Sequence, residues 1–468
     1  MKQLLNNIQK SKKPRFYLLF KYIFIIVIIF LVINLKTMAT IPVLRVGIFV
    51  DYKNITLKGD RGLQIYEIPT GKCLLIQKDN QSLKVAAQPQ GIKINNNTFN
   101  VNKGIKVIPT GEGFVQVEDK KYRGEIEINA KKSLLNVINV VELEKYLYGV
   151  LKKEISPNWP AEVLKAQAIA ARTFALSNMN KYIDQGYNIC ATTSSQEYGG
   201  VLSEHPDTNQ AVNDTRGIVA IYEGQPINAV YHSDSGGYTE NCEDVWGGYV
   251  PYLRSVPSEY ESIVSPPNHH WSYSITEQEI LTKILEKGWQ LNYIEDIIIG
   301  EKTETGRVKA VEIVGDNGKK ITLKANDFRL MIGPNLIRSS LFDVESKGGN
   351  RIEVKSKNSN SEIVKKPDEN PQNTVSDILK EDRDFTITEL IELLNRPKKL
   401  TEPKEIPLPA VIEVSQETVD LVVIFKGKGS GHGVGLSQWG AYGMATLGFS
   451  YEEILKYYYQ GIQLIRLY

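Results

Sequence analysis

The chain has 468 residues, of which 42% are hydrophobic and 24% are charged. These values are typical of a globular protein, and the length allows one large domain or two ordinary ones. The 56 lysine and arginine residues nearly balance the 54 aspartate and glutamate residues, and the net charge of +2 gives no indication of a nucleic-acid partner. The cysteines Cys73, Cys190 and Cys242 form no CxxC pair. This spacing excludes a zinc ribbon or a thioredoxin-type motif. Because the number of cysteines is odd, at least one thiol is unpaired within the chain.

The N-terminal segment, residues 1–40, carries several basic residues before an apolar run from Tyr22 to Ile33. A basic start followed by a short apolar core is typical of a secretory signal. The longer stretch from Phe16 to Leu35 is also just long enough to cross a membrane. We therefore expect either a signal peptide or an N-terminal membrane anchor. In both cases the rest of the chain is expected outside the cytoplasmic membrane.

Short alternating runs of apolar and polar residues fill residues 41–134. One run extends from Leu44 to Val50 and another from Tyr122 to Ile128. Asn, Gly, Asp and Pro residues separate the runs, which is the pattern of strands joined by turns. The pattern predicts a β-rich N-terminal module that serves as a scaffold for the segment that follows.

A catalytic core is predicted over residues 135–345, and it begins with an amphipathic helix. Apolar residues recur along this helix with helical spacing, at Leu143, Tyr146, Leu147, Val150 and Leu151. Glu154 occupies the next position of the apolar stripe. A carboxyl group in that place is expected to be desolvated, which favours its protonated form and suits a general acid. The alternative is that Glu154 is an ordinary solvated residue at a helix end.

A second helix is predicted from Pro160 to Met179, because proline suits the first turn and the segment is rich in alanine. Gln167 lies within its apolar stripe, and Arg172 places a planar, permanently charged group in the same helix. Taken alone, a glutamine in the place of Gln167 is more often a hydrogen-bonded amide of the core.

A predicted hairpin, with strands at 218–222 and 227–232, leads into a polar segment that ends at Trp246. From His232 onwards this segment reads HSDSGGYTENCEDVW. Its two glycines allow a tight turn or the close approach of a ligand. Hydroxyl groups, carboxylates and an aromatic ring are the mixture that carbohydrate sites use, although a polar surface loop is the alternative. The candidate sugar-binding residues are Ser233, Glu240, Asp244 and Trp246.

A metal centre has weaker support in the sequence. His232 and Cys242 are candidate ligands, and His269 and His270 lie nearby along the chain. Zinc needs three or four ligands, usually with compact spacing, and an HExxH motif is absent. We therefore predict no cofactor and keep zinc at His232 and Cys242 as the alternative.

The composition changes over residues 346–409, which are rich in Lys, Asn, Ser, Glu and Pro. Such a segment cannot bury enough apolar surface to form a packed core. It is predicted to be a surface insertion with one short amphipathic helix from Thr386 to Asn395, and it could serve as a partner site. The catalytic core is expected to resume over residues 410–468.

The last motif is predicted to be a strand, a glycine-rich turn and a helix. It begins at Val422 and reads GKGSGHGVGLSQWGAYGM from Gly427 onwards. It lacks the GK[ST] ending of a Walker loop, and no βαβ unit follows, so nucleotide binding is not indicated. Taken alone, the motif favours a buried His432 with a capping role.

Three parts of the sequence together resemble the family that contains sporulation stage II protein D and the amidase enhancer of bacterial autolysins. The first is the helical signature from Glu144 to Ala175, which includes EKYLYGV, EISP and WPAEVLKAQAIAARTFA. The others are the segment from His232 to Trp246 and the GHGVGLSQWGA motif from Gly431 to Ala441. The resemblance extends from about Leu44 to Tyr468, apart from the insertion.

The resemblance implies an α+β fold, in which a β-rich scaffold carries the helical signature and the glycine-rich strand–loop–helix motif. It also implies action on cell-wall peptidoglycan, with Glu154 at the position of the family's catalytic acid. The residues then expected to bind substrate are Gln167, Arg172, Ser233, Glu240, Asp244, Trp246, His432, Ser437 and Gln438.

The expected activity resembles that of a lytic transglycosylase on glycan strands. Such chemistry can use one carboxyl group as acid and then as base, whereas an ordinary glycosidase needs two. Glu240 or Asp244 could supply a second carboxylate, so hydrolysis stays open. The rival hypothesis is a non-catalytic enhancer that binds a cell-wall amidase or the wall polymer. The expected partners are therefore peptidoglycan glycan strands, a cell-wall amidase under the rival hypothesis, and the membrane through the N-terminal segment.

Overall fold

The computed structural model describes residues 40–78, 80–131, 133–347 and 421–468. These residues form an α+β fold in which strands outnumber helices, as the sequence predicts. The N-terminal segment and nearly all of the 346–409 insertion, including its predicted helix, lie outside the described residues. Within the described ranges, no helix combines the length and the apolar character needed to cross a membrane.

Strands fill the first part of the described chain, and helices mix with shorter strands after residue 142. The helices are α1 Leu143–Glu154, α2 Ala161–Ser177, α3 Pro206–Asp214, α4 Cys242–Trp246, α5 Glu261–Val264, α6 Glu277–Glu286, α7 Ala325–Ile332, α8 Gln438–Thr446 and α9 Tyr451–Tyr458. The strands are β1 Val43–Tyr52, β2 Asn54–Gly59, β3 Leu63–Glu67, β4 Cys73–Gln77, β5 Leu83–Gln88, β6 Gly91–Ile94, β7 Asn97–Phe99, β8 Ile105–Pro109, β9 Val115–Val117, β10 Lys120–Tyr122, β11 Glu125–Lys131, β12 Leu134–Glu142, β13 Ile189–Cys190, β14 Ile218–Tyr222, β15 Gln225–Pro226, β16 Tyr231–His232, β17 His270–Thr276, β18 Ile294–Ile299, β19 Ala310–Gly315, β20 Lys320–Lys324, β21 Phe342–Lys347, β22 Val422–Lys428, β23 Leu436–Ser437 and β24 Gln463–Arg466.

Two sheets form the N-terminal scaffold. One has the strand order β13-β1-β12-β11-β8-β3-β4, and the other has the order β10-β9-β2-β5-β6-β7. Side chains alternate as predicted: in β2, Ile55 and Leu57 are buried while Asn54 is exposed. Apolar side chains from both sheets share one core. Each fully buried Val, Leu or Ile contributes roughly 1.5–3 kcal/mol, which offsets the conformational entropy lost on ordering the strands.

The scaffold leads directly into the helical signature. Strand β12 pairs antiparallel with β1, with Val43 opposite Glu142, and α1 begins at the next residue. The apolar stripe of α1 joins the core of the scaffold, so the sheet fixes the start of the helix. Glu154 is the last residue of α1, and the chain becomes extended at Ile155.

Helix α2 is central to the rest of the core. Eleven of its 17 residues are buried, and it packs against α1, α3, α8 and α9. Its many alanines have little side-chain volume, so the neighbouring backbones can approach closely in a densely packed interior. The observed bounds, Ala161–Ser177, lie within two residues of the predicted ones.

The residues from 421 onwards complete the same fold. Strand β22 lies between β17 and β21, and Lys347 pairs with Val422. Strand β24 pairs with β14. Because β21 extends to Lys347, Ser346 belongs to a strand and not to the predicted insertion. The described residues on either side of positions 348–420 therefore belong to one antiparallel strand pair.

The predicted hairpin at 218–232 forms only in part. Strand β14 pairs with the two-residue strand β15, but β16 leaves that sheet and pairs in parallel with β23. Tyr231 lies opposite Leu436, and His232 lies opposite Ser437. The alternating pattern indicated strands without specifying their partners, which depend on distant parts of the chain. The actual pairing places the second motif beside the glycine-rich motif.

Candidate active site

Glu154 lines a cavity of about 470 Å³ to which all three sequence motifs contribute. The second motif supplies Trp246, and the glycine-rich motif supplies His432. The other lining residues are Phe174, Asn178, Lys181, Thr193, Ser194, Ser195, Glu197, Asn228, Val230 and Tyr231. A cavity of this volume, with mixed polar and aromatic walls, suits a small-molecule or sugar-sized ligand.

The environment of Glu154 favours the protonated form of its carboxyl group. Burial raises its pKa to about 7. Two hydrogen-bonding groups oppose this rise: the main-chain N–H of Glu197, which donates to Oε1 at 3.3 Å, and the hydroxyl of Tyr231, which lines the same cavity. The negative charge of Glu197 adds to the rise. A carboxyl group with a pKa near 7 keeps a substantial protonated fraction at neutral pH, as a general acid requires.

Gln438 and Gln167 lie against the end of α1. Nε2 of Gln438 donates to the main-chain oxygen of Glu154 at 3.2 Å and to Oε1 of Gln167 at 3.4 Å. Both glutamine side chains are buried. Among the described residues, Nε2 of Gln167 has no hydrogen-bond partner. The structure thus places these two residues behind Glu154 instead of in the cavity wall, where substrate contact was predicted.

His432 lines the cavity as a neutral ring. Its Nδ1 accepts a hydrogen bond from the main-chain N–H of Val434 at 3.1 Å, so Nε2 carries the proton and donates it to the main-chain oxygen of Tyr231 at 3.0 Å. Burial lowers the pKa of His432 to about 3, and the charge of Arg329 adds to the effect. The ring centroid lies 4.9 Å from that of the exposed Trp246. His432 therefore orients its neighbours and does not change its charge near neutral pH.

Glu240 lies outside the cavity and holds the second motif in place. Its buried carboxylate accepts hydrogen bonds from the hydroxyls of Thr303, at 2.7 Å, and Thr305. Its main-chain N–H donates to the oxygen of Gly433 at 2.8 Å. Glu240 thus connects the second motif to the glycine-rich motif and does not line the cavity that contains Glu154.

Ser233 and Asp244 also lie outside the wall of the cavity. The main-chain oxygen of Ser233 accepts a hydrogen bond from the N–H of Trp439 at 3.0 Å. Oδ2 of Asp244 accepts one from the side chain of Asn241 at 3.4 Å. The sugar contacts predicted for these two residues stay predictions, since the contact shown for Ser233 leaves its side-chain hydroxyl unused.

Arg172 and Ser437 have structural partners. The fully buried Arg172 donates two hydrogen bonds of 2.8 Å to the carboxylate of Glu144. A permanent charge in the core requires such a partner. Ser437 caps α8 by accepting a hydrogen bond from the N–H of Gly440 at 3.2 Å, and its hydroxyl donates to Glu261. These contacts give both residues a structural role, and neither lines the cavity that contains Glu154.

Several polar residues of the cavity wall escape prediction from the sequence, among them Lys181, Glu197 and Tyr231. Tyr231 immediately precedes the second motif, and Glu197 lies in a polar loop after α2. The sequence signal that could have identified Tyr231 and Glu197 is their position close to the recognised motifs. Neither periodicity nor motif spacing indicates that they face Glu154.

The described residues do not bring the predicted zinc ligands into a common site. Nδ1 of His232 bonds to a main-chain oxygen at 3.1 Å, and Cys242 packs in an apolar cluster. The described group of three metal-capable side chains with ligand atoms within 4.8 Å of one another is Asp234, Glu261 and His269. Its carboxylates already accept main-chain N–H groups of the second motif. Among the described residues, no such group of three includes His232 or Cys242, and zinc at these two residues stays an alternative.

Comparison with known proteins places the helical signature in a family. A family model for a stage II sporulation protein matches residues 131–222, which include α1, Glu154 and α2. The amidase enhancer of Bacillus subtilis is 30% identical over 325 residues, which are 68% of this chain and 40% of that protein. Stage II sporulation protein D of Bacillus amyloliquefaciens is 27% identical over 339 residues, 69% of this chain and 74% of that protein. The family model and these relatives confirm the resemblance to this family that the sequence motifs indicate.

The similarity to these family members extends well beyond the matched signature. An uncharacterized protein of Brachyspira hyodysenteriae is 28% identical over 387 residues, which are 82% of this chain and 83% of that protein. For the amidase enhancer, by contrast, the aligned region covers only 40% of the protein, which is longer than this chain. Glu154, Gln167 and Arg172 all lie inside the region that the family model matches.

Proposed function

We propose that the protein acts on peptidoglycan outside the cytoplasmic membrane and cleaves its glycan strands as a lytic transglycosylase. The kinship with stage II sporulation protein D and the amidase enhancer supports a role at the cell wall. The observation that carries the chemical proposal is Glu154, a half-buried carboxyl group with a pKa of about 7 in the wall of a sugar-sized cavity. Its neighbours in the wall supply an aromatic face and hydrogen-bonding groups.

In the proposed reaction Glu154 acts twice. Its carboxyl group donates a proton to the oxygen that links N-acetylmuramic acid to N-acetylglucosamine, and the bond from the muramic C1 to that oxygen breaks. The C6 hydroxyl of the same muramic residue then bonds to C1 and transfers its proton to the Glu154 carboxylate. The product carries a 1,6-anhydro ring, and Glu154 is again protonated. No water enters the reaction, so one carboxyl group suffices.

Hydrolysis is the related alternative, and it requires a second carboxylate near Glu154. Glu240 and Asp244 were the predicted sources of a second carboxylate, but both lie outside the cavity. Glu197 lines the cavity and is exposed. A hydrolytic route would therefore use Glu154 with Glu197, and it would release a reducing end instead of an anhydro end.

A second candidate function is non-catalytic enhancement of an amidase. The relative named amidase enhancer, at 30% identity, favours it. In that case the cavity would bind a wall glycan without cleaving it, and the partner amidase would perform the chemistry. The two functions differ in whether the purified protein alone alters a glycan strand.

Mass spectrometry of glycan strands incubated with the purified protein tests these functions. Anhydro-muramic ends support the transglycosylase, reducing ends support hydrolysis, and intact strands with accelerated amidase action support the enhancer. Glu154→Gln is the matched control, since it keeps the size of the side chain and removes the transferable proton. We expect this variant to fold and to lose at least about 10²-fold in rate. Near-normal cleavage by a folded Glu154→Gln variant would exclude Glu154 as the acid.

A further inference from the structure

A chain of hydrogen-bonded side chains runs from the core to Glu154. Tyr146 on α1 and Gln196 in the loop after α2 are fully buried, and Tyr231 continues the chain to the cavity. The Tyr146 hydroxyl lies 3.2 Å from Oε1 of Gln196, and Nε2 of Gln196 lies 3.1 Å from the Tyr231 hydroxyl. Tyr231 and Glu154 line the same cavity, and the hydrogen-bonding effect of the Tyr231 hydroxyl lowers the pKa of the Glu154 carboxyl group.

The direction of each hydrogen bond follows from one main-chain contact. Nε2 of Gln196 lies 3.3 Å from the carbonyl oxygen of Ala171. A carbonyl oxygen only accepts, so the amide nitrogen of Gln196 must face Ala171 and the amide oxygen must face Tyr146. The second N–H of Gln196 is then directed at the Tyr231 oxygen. Since this oxygen accepts from Gln196, the Tyr231 proton is available for Glu154.

We infer that Tyr231 is a positioning residue that donates its hydroxyl proton to the carboxylate of Glu154, and that Gln196 fixes the direction of this bond. The inference rests on the proposed role of Glu154 as an acid. A hydrogen bond donated to a carboxylate is stronger than one donated to the neutral acid, because it is charge-assisted. Tyr231 therefore stabilises the form of Glu154 that exists after proton transfer, and it holds the carboxyl group toward the cavity.

Other charged or titratable groups near Glu154 could also affect its pKa. Glu197, Lys181 and His432 line the same cavity, and Tyr146 lies behind Tyr231. His432 is neutral, and its Nε2–H is used by the main chain of Tyr231. The remaining charges stay in place when the Tyr231 hydroxyl is removed, so a change in the pKa of Glu154 would report on that hydroxyl.

The test is the pKa of Glu154 in the full-length protein, measured by carboxyl-carbon NMR with Glu154→Gln to assign the signal. We expect Tyr231→Phe to raise this pKa by roughly one pH unit, because the carboxylate loses a charge-assisted donor. We expect Gln196→Ala to raise it by less, since Tyr231 is then free to turn away. The matched control is Tyr459→Phe, which removes another buried hydroxyl, bonded to the main-chain oxygen of Val230 at 2.8 Å; we expect no change.

An unchanged or lower pKa in a folded Tyr231→Phe protein would overturn the inference. If Tyr231→Phe does not fold, Gln196→Ala decides: a raised pKa supports the inference, and an unchanged one overturns it. The alkaline limb of the pH–rate profile should shift together with the pKa. A loss of packing alone would lower the rate without moving that limb. If no variant or parent cleaves glycan, the proposed function fails, while the NMR measurement still decides whether Tyr231 donates to Glu154.

Discussion

The side chain of Gln438 donates a hydrogen bond to the main-chain oxygen of Glu154 at 3.2 Å, across 284 positions of the chain. Gln438 is the first residue of α8, and Ser437 caps that helix. The bond therefore couples the end of α1 to the glycine-rich motif. Contacts between two helices therefore determine the position of Glu154. Proton transfer requires such precise positioning of the reacting group.

The rate of glycan cleavage should fall as the pH rises above 7. A general acid must carry its proton before the reaction, and Glu154 loses it with a pKa of about 7. Well above that value we expect kcat/KM to decline about tenfold per pH unit. His432, with a pKa of about 3, should add no further limb near neutral pH. A rate that stays constant up to pH 9 would show that Glu154 does not act as the acid.

Glu154→Gln should stabilise the fold at neutral and alkaline pH. Glu154 has a raised pKa in the folded state, so between about pH 4.5 and 7 the folded state holds a proton that the unfolded chain releases. Stability of the parent protein accordingly falls through that window. The variant has no carboxyl group to deprotonate at this position. Its free energy of unfolding at pH 8 should therefore exceed that of the parent by on the order of 2 kcal/mol. Urea unfolding of both proteins at pH 4 and pH 8 measures it; a difference that does not depend on pH would contradict the raised pKa.

Arg172→Met should destabilise the protein without altering the cavity. The substitution leaves the carboxylate of Glu144 buried without its cationic partner, and breaking such a pair costs about 3–5 kcal/mol. Urea unfolding measures the loss, with Arg216→Met as the control because Arg216 is exposed. Normal stability combined with a raised KM for glycan would instead support the substrate-binding role predicted from the sequence.

Replacing residues 348–420 by a short Gly/Ser/Asn loop should preserve both stability and cleavage. Lys347 pairs with Val422 in antiparallel β21 and β22, so the ends to be joined are adjacent. The loop should stop before Leu421, which is buried and whose main-chain oxygen accepts a hydrogen bond from Glu277. Melting temperature and glycan cleavage are the readouts. A collapsed or inactive protein would show that the replaced residues contribute to the folded core or to the activity.

The sequence was most informative where the signal is local. The apolar spacing of α1 predicted the helix and the position of Glu154 in line with its apolar stripe, because helical periodicity decides which side chains share a face. The bounds of α2 and the β-rich scaffold followed from the same kind of pattern. Of the residues that the family motifs marked as site candidates, Glu154, Trp246 and His432 line one cavity in the structure.

The partners of polar side chains were decided only by the tertiary structure. Arg172 meets Glu144, Ser437 meets Glu261, and Glu240 meets two threonines of a loop that no motif had marked. A polar residue in a motif fits a substrate ligand and a buried structural contact equally well, since burial of polar groups demands a partner in either case. The sequence by itself determined which residue types surround Glu154. Folding decided which of them face the cavity, because their partners lie tens to hundreds of residues away.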